Sequence, residues 1–420
     1  MTMTLNVAAT ASGTTYRVGS EVGPLRQVIL HRPGREMMRL TPSNKDDLLF
    51  DDVLWVSQAQ WEHDRFAQVL RDRDIEVLYL EELLAETLEN LSARRHVLDR
   101  VLDERIFGLG AIDALRNHAD NLDGAALASV LIAGITKGEL LEQIVEPDSV
   151  ALGTMRTDDF VLAPLPNHLF TRDTSCWIYD GVAINSMRKV ARMRETVNYE
   201  AIYRWHPRFA DGGQHVWSTG SDEGAATVEG GDVLVIGNGA VLVGLSERTS
   251  PQGVERLAGR LFAEGSAEHV IALEMPKARA FMHLDTVMTM VDQGSFTKYA
   301  GLGMLPSLSI RPGRTPKELS VTRHPAEDMH GVIAGALGLA DIRILTTPQD
   351  SHAAEREQWD DACNTLAVAP GVVVGYERNV ATNTYLRSNG IEVLEVPGTE
   401  LGRGRGGPRC MSCPTIREEI

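Results

Sequence analysis

Cysteine, basic residues and long apolar runs are all scarce in this sequence. Four cysteines among 420 residues are far fewer than a disulfide-stabilised scaffold contains. The 41 Lys and Arg against 58 Asp and Glu give a formal net charge of −17. This balance argues against nucleic acid and anionic membranes as partners, because both require a basic surface. No stretch approaches the ~18 uninterrupted apolar residues of a transmembrane helix, so no membrane span is predicted.

The N-terminal residues Met1 to Tyr16 are small and polar, and they lack the basic and apolar regions of a signal peptide. We therefore expect a cytoplasmic location, in which thiols stay reduced. Residues 1–22 are expected to form a flexible tail. All four cysteines are expected to be free thiols or ligands: Cys176, Cys363, Cys410 and Cys413.

The segment 81–147 differs in composition from the rest of the chain. It is rich in Leu, Ala, Glu and Arg, and it contains no proline before Pro147. Apolar residues recur in it at helical spacing, as in Leu98, Leu102 and Ile106. We predict four or five short helices packed as a bundle. Because strand patterns flank the segment, the bundle is predicted to be an insertion into a catalytic fold of residues 23–80 and 148–420.

A unit of two strands, a helix and a third strand recurs in the flanking regions. Its clearest copy runs from Gly231 to Leu273, with Asn238-Gly239 as the hairpin turn, since both turn positions favour φ > 0. Such repetition predicts a closed ring of small α/β modules. The alternative is an open mixed α/β sheet in two domains. Further copies are predicted around Asp180-Gly181, 292–295 and 369–371, and a fifth around 25–33 with 75–80.

Three short segments place carboxylates and a histidine beside predicted strands. His283 and Asp285 are two residues apart, so on a strand they would point the same way and could serve acid/base chemistry or bind a metal. Glu229 and Asp232 flank two glycines, which permit close approach of a backbone or a ligand. Asp173 precedes an apolar strand. Each also has a structural interpretation, as a hydrogen-bonded pair, a capped turn and a solvated loop acid, respectively.

The glycine-rich run before Cys410 contains Arg403, Arg405 and Arg409. Cations close to a cysteine lower the pKa of its thiol or bind a charged ligand. A mobile linker is one alternative. A phosphate-binding loop is another, although no Lys-Ser/Thr closes the motif. Cys410 and Cys413 also form a Cys-x-x-Cys motif, typical of a redox or zinc half-site, but the sequence has no second copy of it.

Taken together, these segments supply one cysteine, one histidine and three carboxylates. A cysteine–histidine pair alone indicates acyl transfer, but carboxylates would repel the negative charge that develops on an oxyanion. They suit a cationic substrate instead. A guanidinium is planar and offers five donors that two carboxylates can hold, which leaves its carbon open to a thiolate. The residues therefore predict a guanidine-modifying enzyme.

At these segments the sequence resembles the arginine deiminase family, within the guanidino-group-modifying enzymes. The resemblance extends nearly end to end, from Leu40-Thr-Pro-Ser-Asn44 and Leu48-Leu-Phe-Asp-Asp52 to Arg409-Cys-Met-Ser-Cys-Pro414. These motifs, in this order and with the helical insertion, are specific to arginine deiminases. The resemblance implies an α/β fold, a pseudo-fivefold α/β propeller of ββαβ-type modules with an inserted all-helical bundle. It also implies a homo-oligomer, dimer or tetramer.

The same resemblance implies hydrolysis of L-arginine to L-citrulline and ammonia, without cofactor or metal. Cys410 would be the nucleophile that forms a covalent amidino-thioether, and His283 the general acid and base. Glu229 would hold His283, while Asp173 and Asp285 would bind the guanidinium nitrogens. The implied substrate-binding residues are Asn167, Arg192 and Arg248 for the α-carboxylate, Phe170 and Leu49 along the aliphatic stem, Gly404 and Arg405 on the covering loop, and Asp232.

Two expectations concern the nucleophile itself. A bound cation would favour the thiolate, so we expect free Cys410 to be mainly a thiol that ionises on binding. Pro408 and Arg409 precede Cys410 where many bacterial relatives have Gly-His. Pro408 restricts its neighbours, which predicts a stiffer loop.

Three alternatives remain open at this stage. One is another guanidine-modifying activity, such as an amidinotransferase or a dimethylarginine hydrolase. A second is a non-catalytic arginine-binding sensor. The third is a zinc hydrolase that uses His283, Asp285 and Glu229.

Overall fold

The computed structural model describes residues 15–315 and 318–420. Over these residues the chain forms a mixed α/β fold of twenty strands and fifteen α-helices, with several small sheets. None of the helices in this part of the chain combines the length and the apolar character that crossing a bilayer requires.

The N-terminal part builds a sheet with the C-terminal strand and a helix that covers it. Ala59, Phe66, Ala67 and Leu70 form the buried stripe of that helix, at the spacing of an amphipathic helix. The elements are β1 (Arg17–Val18), β2 (Leu25–Leu30), α1 (Arg35–Met38), α2 (Val56–Arg71) and β3 (Glu76–Tyr79).

The predicted helical insertion follows β3 directly. Its helices are short because capping side chains such as Asn90, Asp123 and Thr136 begin new ones. The helical region starts at residue 80 and continues to 154, beyond the expected boundary at 147. Its elements are α3 (Leu80–Leu88), α4 (Leu91–Val101), α5 (Glu104–Phe107), α6 (Leu109–Asp120), α7 (Gly124–Ala133), β4 (Ile135–Thr136), α8 (Lys137–Leu141), α9 (Val150–Thr154) and β5 (Phe160–Leu162).

The rest of the chain alternates hairpins with helices. Its first half comprises α10 (Thr171–Thr174), β6 (Ser175–Ile178), β7 (Gly181–Ile184), α11 (Val190–Trp205), β8 (His215–Thr219), β9 (Val233–Gly237), β10 (Ala240–Leu245), α12 (Pro251–Ala263) and β11 (His269–Glu274). Its second half comprises β12 (Met288–Asp292), β13 (Ser295–Lys298), β14 (Ser307–Pro312), β15 (Leu319–His324), α13 (Met329–Leu337), β16 (Arg343–Leu345), α14 (Ser351–Trp359), β17 (Leu366–Ala369), β18 (Val372–Tyr376), α15 (Val380–Ser388), β19 (Glu392–Val396) and β20 (Cys413–Arg417).

Five of the sheets share one pattern, in which an antiparallel pair is followed by a helix and a strand parallel to the second member. The orders are β6-β7-β8, β9-β10-β11, β12-β13-β16, β17-β18-β19 and β20-β2-β3. In the third of them, β14 and β15 stand between the pair and the helix and extend the neighbouring sheet of β9, β10 and β11. The last of the five contains the two predicted strands of the fifth unit, β2 and β3, and is completed by the C-terminal strand β20, which the sequence did not predict. The repeated ββαβ unit is therefore present, whereas a pseudo-fivefold ring of these units stays a prediction.

The hairpin turns follow the sequence signals with one correction. Asn238 and Gly239 both have positive φ, 52° and 67°, as predicted. The turn expected at Asp180-Gly181 lies one residue earlier, because Gly181 already pairs with Ile178 in the sheet. A Cβ at residue 181 would meet the ring of Trp217 at 2.6 Å, so the close packing of that ring explains the glycine.

Residues 15–22, expected to belong to the flexible tail, are packed against the sheets. Val18 and Tyr179 exchange two backbone hydrogen bonds of 2.9 Å, and β1 lies parallel to β20. Tyr16 and Val22 are buried. Residues 1–14 of the expected tail lie outside the described residues.

The insertion shares its core with the sheets instead of forming a separate core. Leu83 and Leu131 from the inserted helices belong to the same apolar cluster as Trp177 of β6 and Tyr199 of α11. Burial of this shared apolar surface fixes the insertion against the first ββαβ unit.

Candidate active site

The segment before the first strand of each unit contributes a polar side chain to one buried cluster. Asp173 precedes β6, Glu229 precedes β9, His283 precedes β12 and Cys410 precedes β20. The fourth unit contributes Asn364, before β17, which the sequence analysis missed. The repeat could have revealed Asn364, because it precedes the first strand of its unit as the other four site residues precede theirs.

Glu229-Gly-Gly-Asp232 allows two segments to approach each other closely. A Cβ at residue 231 would lie 2.7 Å from His283 Nδ1 and 2.8 Å from Asp173 Oδ1, so only glycine fits there. His283 and Asp285 do not lie on a strand, the case in which they would point the same way. They flank the start of a 3₁₀ turn, whose Leu284 amide donates to Asp232 Oδ1 at 2.9 Å.

His283 lies between two carboxylates. Its Nε2 is 2.7 Å from Glu229 Oε2, and its Nδ1 is 3.5 Å from Asp173 Oδ1. Burial disfavours the imidazolium, but Asp173 and the hydrogen bond to Glu229 outweigh it and raise the pKa of His283 to about 9. Although burial opposes ionisation, Arg248 and His283 hold the pKa of Glu229 well below its usual range. At neutral pH the pair is therefore an imidazolium and a carboxylate.

Asn364 fixes the position of Cys410. Its Nδ2 donates to Cys410 Sγ at 3.1 Å, and its Oδ1 accepts the Cys410 amide at 3.0 Å. Asp285 Oδ2 lies 3.5 Å from the same sulfur. Burial, followed by the charges of Asp285 and Asp173, raises the pKa of the Cys410 thiol well above its usual value. This agrees with the expectation that the ligand-free protein carries a thiol.

Arg192 and Arg248, expected to bind a substrate carboxylate, instead contact carboxylates of the protein. Arg192 Nη1 donates to Asp173 Oδ2 at 2.6 Å, and its Nε and Nη2 donate to Glu195 at 3.1 and 2.9 Å. Arg248 Nη1 lies 3.4 Å from Glu229 Oε2. Both arginines are buried. Arg192 already donates to two carboxylates and to the carbonyls of Asn167 and Phe170, whereas Arg248 also lines a large cavity at the surface.

Asp232, expected to contact substrate, lies behind the site. Its Oδ2 accepts hydrogen bonds from Ser246 and Thr249 at 2.5 and 2.6 Å, and its Oδ1 accepts the Leu284 amide. Burial raises the pKa of Asp232 to about 7, although His283 opposes this. The geometry makes Asp232 a tether for the turn that carries His283.

Phe170, expected along the aliphatic stem, lies close to Cys410: a Cβ at Gly406 would be 2.3 Å from the Phe170 ring and 3.0 Å from Cys410 Cβ. Asn167 Nδ2 donates to the Leu48 carbonyl at 2.7 Å. Leu49 has φ 64°, a strained conformation for a bulky residue. A Cβ at Gly404 would lie 2.8 Å from the ring of Phe170, so the covering loop packs directly on that ring.

Arg405, on the covering loop, is buried without a hydrogen-bond acceptor. Its guanidinium lies 3.6 Å from the centre of the Trp359 ring. Within 15–315 and 318–420, none of its nitrogens finds an acceptor, and Asp361 is likewise buried with both carboxylate oxygens unpartnered. Burial raises the pKa of Asp361 to about 7, which Arg405 opposes. Buried unpaired polar groups are costly, so Arg405 and Asp361 are both available to pair with a ligand.

Among the residues that the structure describes, Asp173, Glu229 and His283 form a group that could hold a metal ion. One ligand atom from each lies within 4.8 Å of the others. A metal requires a neutral imidazole, whereas these carboxylates hold a proton on His283 up to a pH of about 9. A metal ion at this cluster would therefore have to displace the proton of His283.

Comparison with known proteins shows which folds and which family this chain resembles. The chain is similar in fold to the amidinotransferase SxtG of the saxitoxin pathway from Microseira wollei, with a TM-score of 0.56 at 13% identity over 96% of this chain and 98% of that one. It is similar to a dimethylarginine dimethylaminohydrolase adduct with S-methyl-L-thiocitrulline, with a TM-score of 0.50 at 15% identity over 93% and 99%.

A third fold relative is AgrE in its ternary complex with ornithine and NAD+, with a TM-score of 0.54 at 14% identity. The match covers 94% of this chain but only 40% of AgrE, so this chain spans less than half of that protein. Sequence similarity is more specific than fold. A family model described as arginine deiminase matches residues 46–417, which include the whole buried cluster and all of the repeat except β2. The chain therefore belongs to the arginine deiminase family.

Proposed function

We propose that this protein hydrolyses the guanidinium group of L-arginine to give L-citrulline and ammonia through a covalent amidino-cysteine intermediate. The observation that carries the proposal is a buried thiol, 3.5 Å from Asp285 and surrounded by carboxylates, with the imidazolium of His283 in the same cluster. Carboxylates around a nucleophile suit a cationic electrophile. They do not suit an acyl substrate, because they would repel the oxyanion that forms from it. The coarser activity, guanidine hydrolysis, also fits the family.

The substrate cation would bind between Asp173 and Asp285. Each carboxylate has one oxygen that contacts no arginine, and these oxygens can accept from the guanidinium nitrogens. The stem would lie along Phe170 and Leu49. Its α-carboxylate would bind Arg405 on the covering loop, because that guanidinium is buried without an acceptor among the described residues. Additional head-group contacts would come from Gly404, Asn167 and Arg248.

The first half of the reaction forms the intermediate. Binding of the cation lowers the pKa of Cys410, and the thiol releases its proton to solvent. The thiolate sulfur then attacks the guanidinium carbon and gives a neutral tetrahedral adduct. His283, an imidazolium at the start, donates its proton to one amino group, which leaves as ammonia. The product is an amidinium thioether on Cys410, with a neutral His283.

The second half releases the product. Neutral His283 takes a proton from water, and the resulting hydroxide adds to the amidinium carbon. The carbon–sulfur bond breaks, the sulfur regains a proton from the product oxygen, and citrulline leaves. His283 is again an imidazolium, held by Glu229 at 2.7 Å. At neutral pH the proton released on binding converts the ammonia into ammonium, so the cycle is balanced.

We also infer that the five ββαβ units surround the site about a pseudo-fivefold axis. The shared strand order and the matching position of one site segment in each unit support this. A homo-oligomer, dimer or tetramer, stays a prediction that light scattering of the purified protein tests.

The experiment measures citrulline and ammonia from L-arginine, with a metal chelator present. It compares the wild type with Cys410→Ala and with Cys413→Ala. Cys413 is a matched control, because it is an equally buried thiol whose sulfur contacts the Ser175 carbonyl at 3.3 Å. We expect equal release of both products from the wild type and Cys413→Ala, and none from Cys410→Ala.

Other outcomes would redirect the proposal. Loss of activity with the chelator would indicate a zinc hydrolase. Release of citrulline only from dimethylarginine would indicate the related hydrolase. Binding of L-arginine without either product would contradict catalysis and indicate a sensor.

A further inference from the structure

The two aspartates that flank the proposed guanidinium site are each held from behind by a buried arginine. Arg192 Nη1 donates to Asp173 Oδ2 at 2.6 Å, and Arg409 Nη1 donates to Asp285 Oδ2 at 2.7 Å. The same nitrogen meets the same carboxylate oxygen in both pairs. The side chains of both arginines are no more than 3% exposed, so water does not screen either pair.

Each arginine is in turn held by a buried glutamate through Nε and Nη2. Glu195 accepts from Arg192 at 3.1 and 2.9 Å, and Glu21 accepts from Arg409 at 3.0 and 3.1 Å. A backbone carbonyl also accepts from Nη2 in both cases, namely Asn167 at 3.1 Å and Val233 at 2.7 Å. The two chains, Glu195–Arg192–Asp173 and Glu21–Arg409–Asp285, are therefore built alike from residues far apart in sequence.

We propose that these two chains are matched positioning relays for the guanidinium-binding carboxylates, an inference that rests on the proposed function. Each arginine occupies one aspartate oxygen and leaves the other for substrate. Each glutamate restores the negative charge that the arginine would otherwise cancel. Arg192, Arg409, Glu195 and Glu21 are then positioning residues and touch no reacting atom.

The charge of each relay explains why it needs three members. A buried Asp–Arg pair alone is neutral and would not attract a cationic substrate, whereas an ionised glutamate makes each relay net negative. Although burial opposes the ionisation of Glu21, Arg409 holds its pKa low, and Arg172 and Arg417 also face it. Burial raises the pKa of Glu195 against the opposing charge of Arg192. The forked shape of the guanidinium group is also necessary for each relay. Arginine reaches an aspartate with one nitrogen and a glutamate with two others, which the single ammonium of a lysine cannot do.

Glu21 gives the N-terminal segment a role in the site. It lies on residues 15–22, which the sequence predicted to be a flexible tail, and its Oε1 also accepts the amide of Val235 at 3.2 Å. The carboxylate of Asp285 is thus positioned by a residue 388 positions away from its partner Arg409. The relay makes the site incomplete without this segment.

The test uses the full chain and steady-state kinetics with L-arginine. Glu21→Gln and Glu195→Gln keep the shape but remove one charge from each relay. We expect KM to rise by about tenfold or more in each, with a smaller change in kcat, because the aspartates bind the guanidinium before the chemical step. Arg409→Lys keeps the charge without the fork and is expected to raise KM similarly.

A control separates positioning from folding. Glu223 is a buried glutamate bound to Arg256 and Arg260 at 2.7 Å, and it belongs to neither relay. Glu223→Gln should leave KM within about twofold of the wild type. Partial unfolding lowers kcat through the active fraction and leaves KM unchanged. A KM within about twofold of the wild type in Glu21→Gln or Glu195→Gln would overturn the proposal. If Glu21→Gln does not fold, Glu21→Asp withdraws the carboxylate, and the same KM criterion applies.

A second measurement does not require turnover, so it separates this inference from the proposed function. Iodoacetamide alkylation of Cys410 reports the ionisation of its thiol, which Asp285, Asp173, Asp361 and Arg409 face. Without the Glu21 charge, the positive charge of Arg409 is less compensated. Arg409 then lowers the pKa of the Cys410 thiol further, so the pH midpoint of alkylation should fall. An unchanged midpoint in folded Glu21→Gln contradicts the relay even if the wild type makes no citrulline. A shifted midpoint without any product retains the relay and rejects the proposed reaction.

Discussion

The charge of His283 determines whether the reaction begins with an acid or a base in place. Burial opposes protonation, but Asp173 and the hydrogen bond to Glu229 raise the pKa of His283 to about 9. A rise from an ordinary value of about 6.5 corresponds to roughly 3 kcal/mol in favour of the imidazolium. Because the folded state binds the proton more tightly than the unfolded chain, this stabilisation is complete below about pH 6.5 and is lost as the pH rises through about 9.

The assay follows the imidazole carbons of the 12 histidines by NMR in protein with ¹³C-labelled histidine. The signal absent from His283→Asn identifies the residue, and its titration midpoint should lie at about 9. Glu229→Gln removes one of the two flanking charges, so the midpoint should fall to roughly 7–8. Glu223→Gln, which alters a carboxylate outside the site, should leave the midpoint in place.

A second consequence is thermodynamic. The free energy of unfolding should decline with pH more steeply in the wild type than in His283→Asn, by roughly 3 kcal/mol between about pH 6.5 and pH 9.5. A midpoint at or below about 6.5 would refute the reasoning, because burial would then outweigh the carboxylates. His283 would start as a base, and the proposed protonation of ammonia would need another donor.

Three further predictions follow from the structure, two for residues around the site and one for a residue outside it. Asn364→Ala removes the donor at 3.1 Å from Cys410 Sγ; a bond to a charged sulfur is worth about 1.5–3 kcal/mol, so kcat should fall roughly 10- to 100-fold, and an unchanged kcat would contradict this role. Burial raises the pKa of Asp232 to about 7, so its stabilising effect is lost as the pH rises through that value. Asp232→Asn should therefore melt at a higher temperature than the wild type at about pH 9, and a lower melting temperature there would show that the hydrogen bonds matter more. Burial lowers the pKa of His63 to about 3, so stability is lost as the pH falls from about 6.5 towards 3. His63→Gln should lose less of its melting temperature than the wild type between about pH 7 and pH 4, and equal losses would contradict the prediction.

The residues of the cluster that lie in short, unusual motifs could be predicted from the sequence. Glu229-Gly-Gly-Asp232 signals a close approach because two adjacent glycines have few other uses before a strand. The turn at Asn238-Gly239 was predictable for the same local reason, and it is confirmed. The 3₁₀ turn at His283 was not predictable, because an alternating pair is compatible with a strand or a turn, and the tether of this turn to Asp232 is a long-range contact.

The parts that sequence reasoning missed depend on contacts between distant segments. Asn364 lies in no motif. It becomes recognisable only when the fourth unit is aligned with the other four. Glu21 lies in a segment whose composition indicates a tail, although burial of Tyr16 and Val22 fixes it in place. No local pattern records that a glutamate near one end of the chain meets an arginine near the other.

The relays also address a problem that any guanidine-modifying site faces. The arginines of the protein carry the same group as the substrate, and they compete with it for the same carboxylates. Asp285 Oδ2 contacts both the Cys410 sulfur, at 3.5 Å, and Arg409, at 2.7 Å. A glutamate that takes two of the nitrogens of each arginine fixes that guanidinium behind the aspartate, so it cannot turn towards the free oxygen. The role of Arg192 follows from this geometry and differs from the one that sequence resemblance implies, because position in a motif does not record which acceptors a side chain has already satisfied.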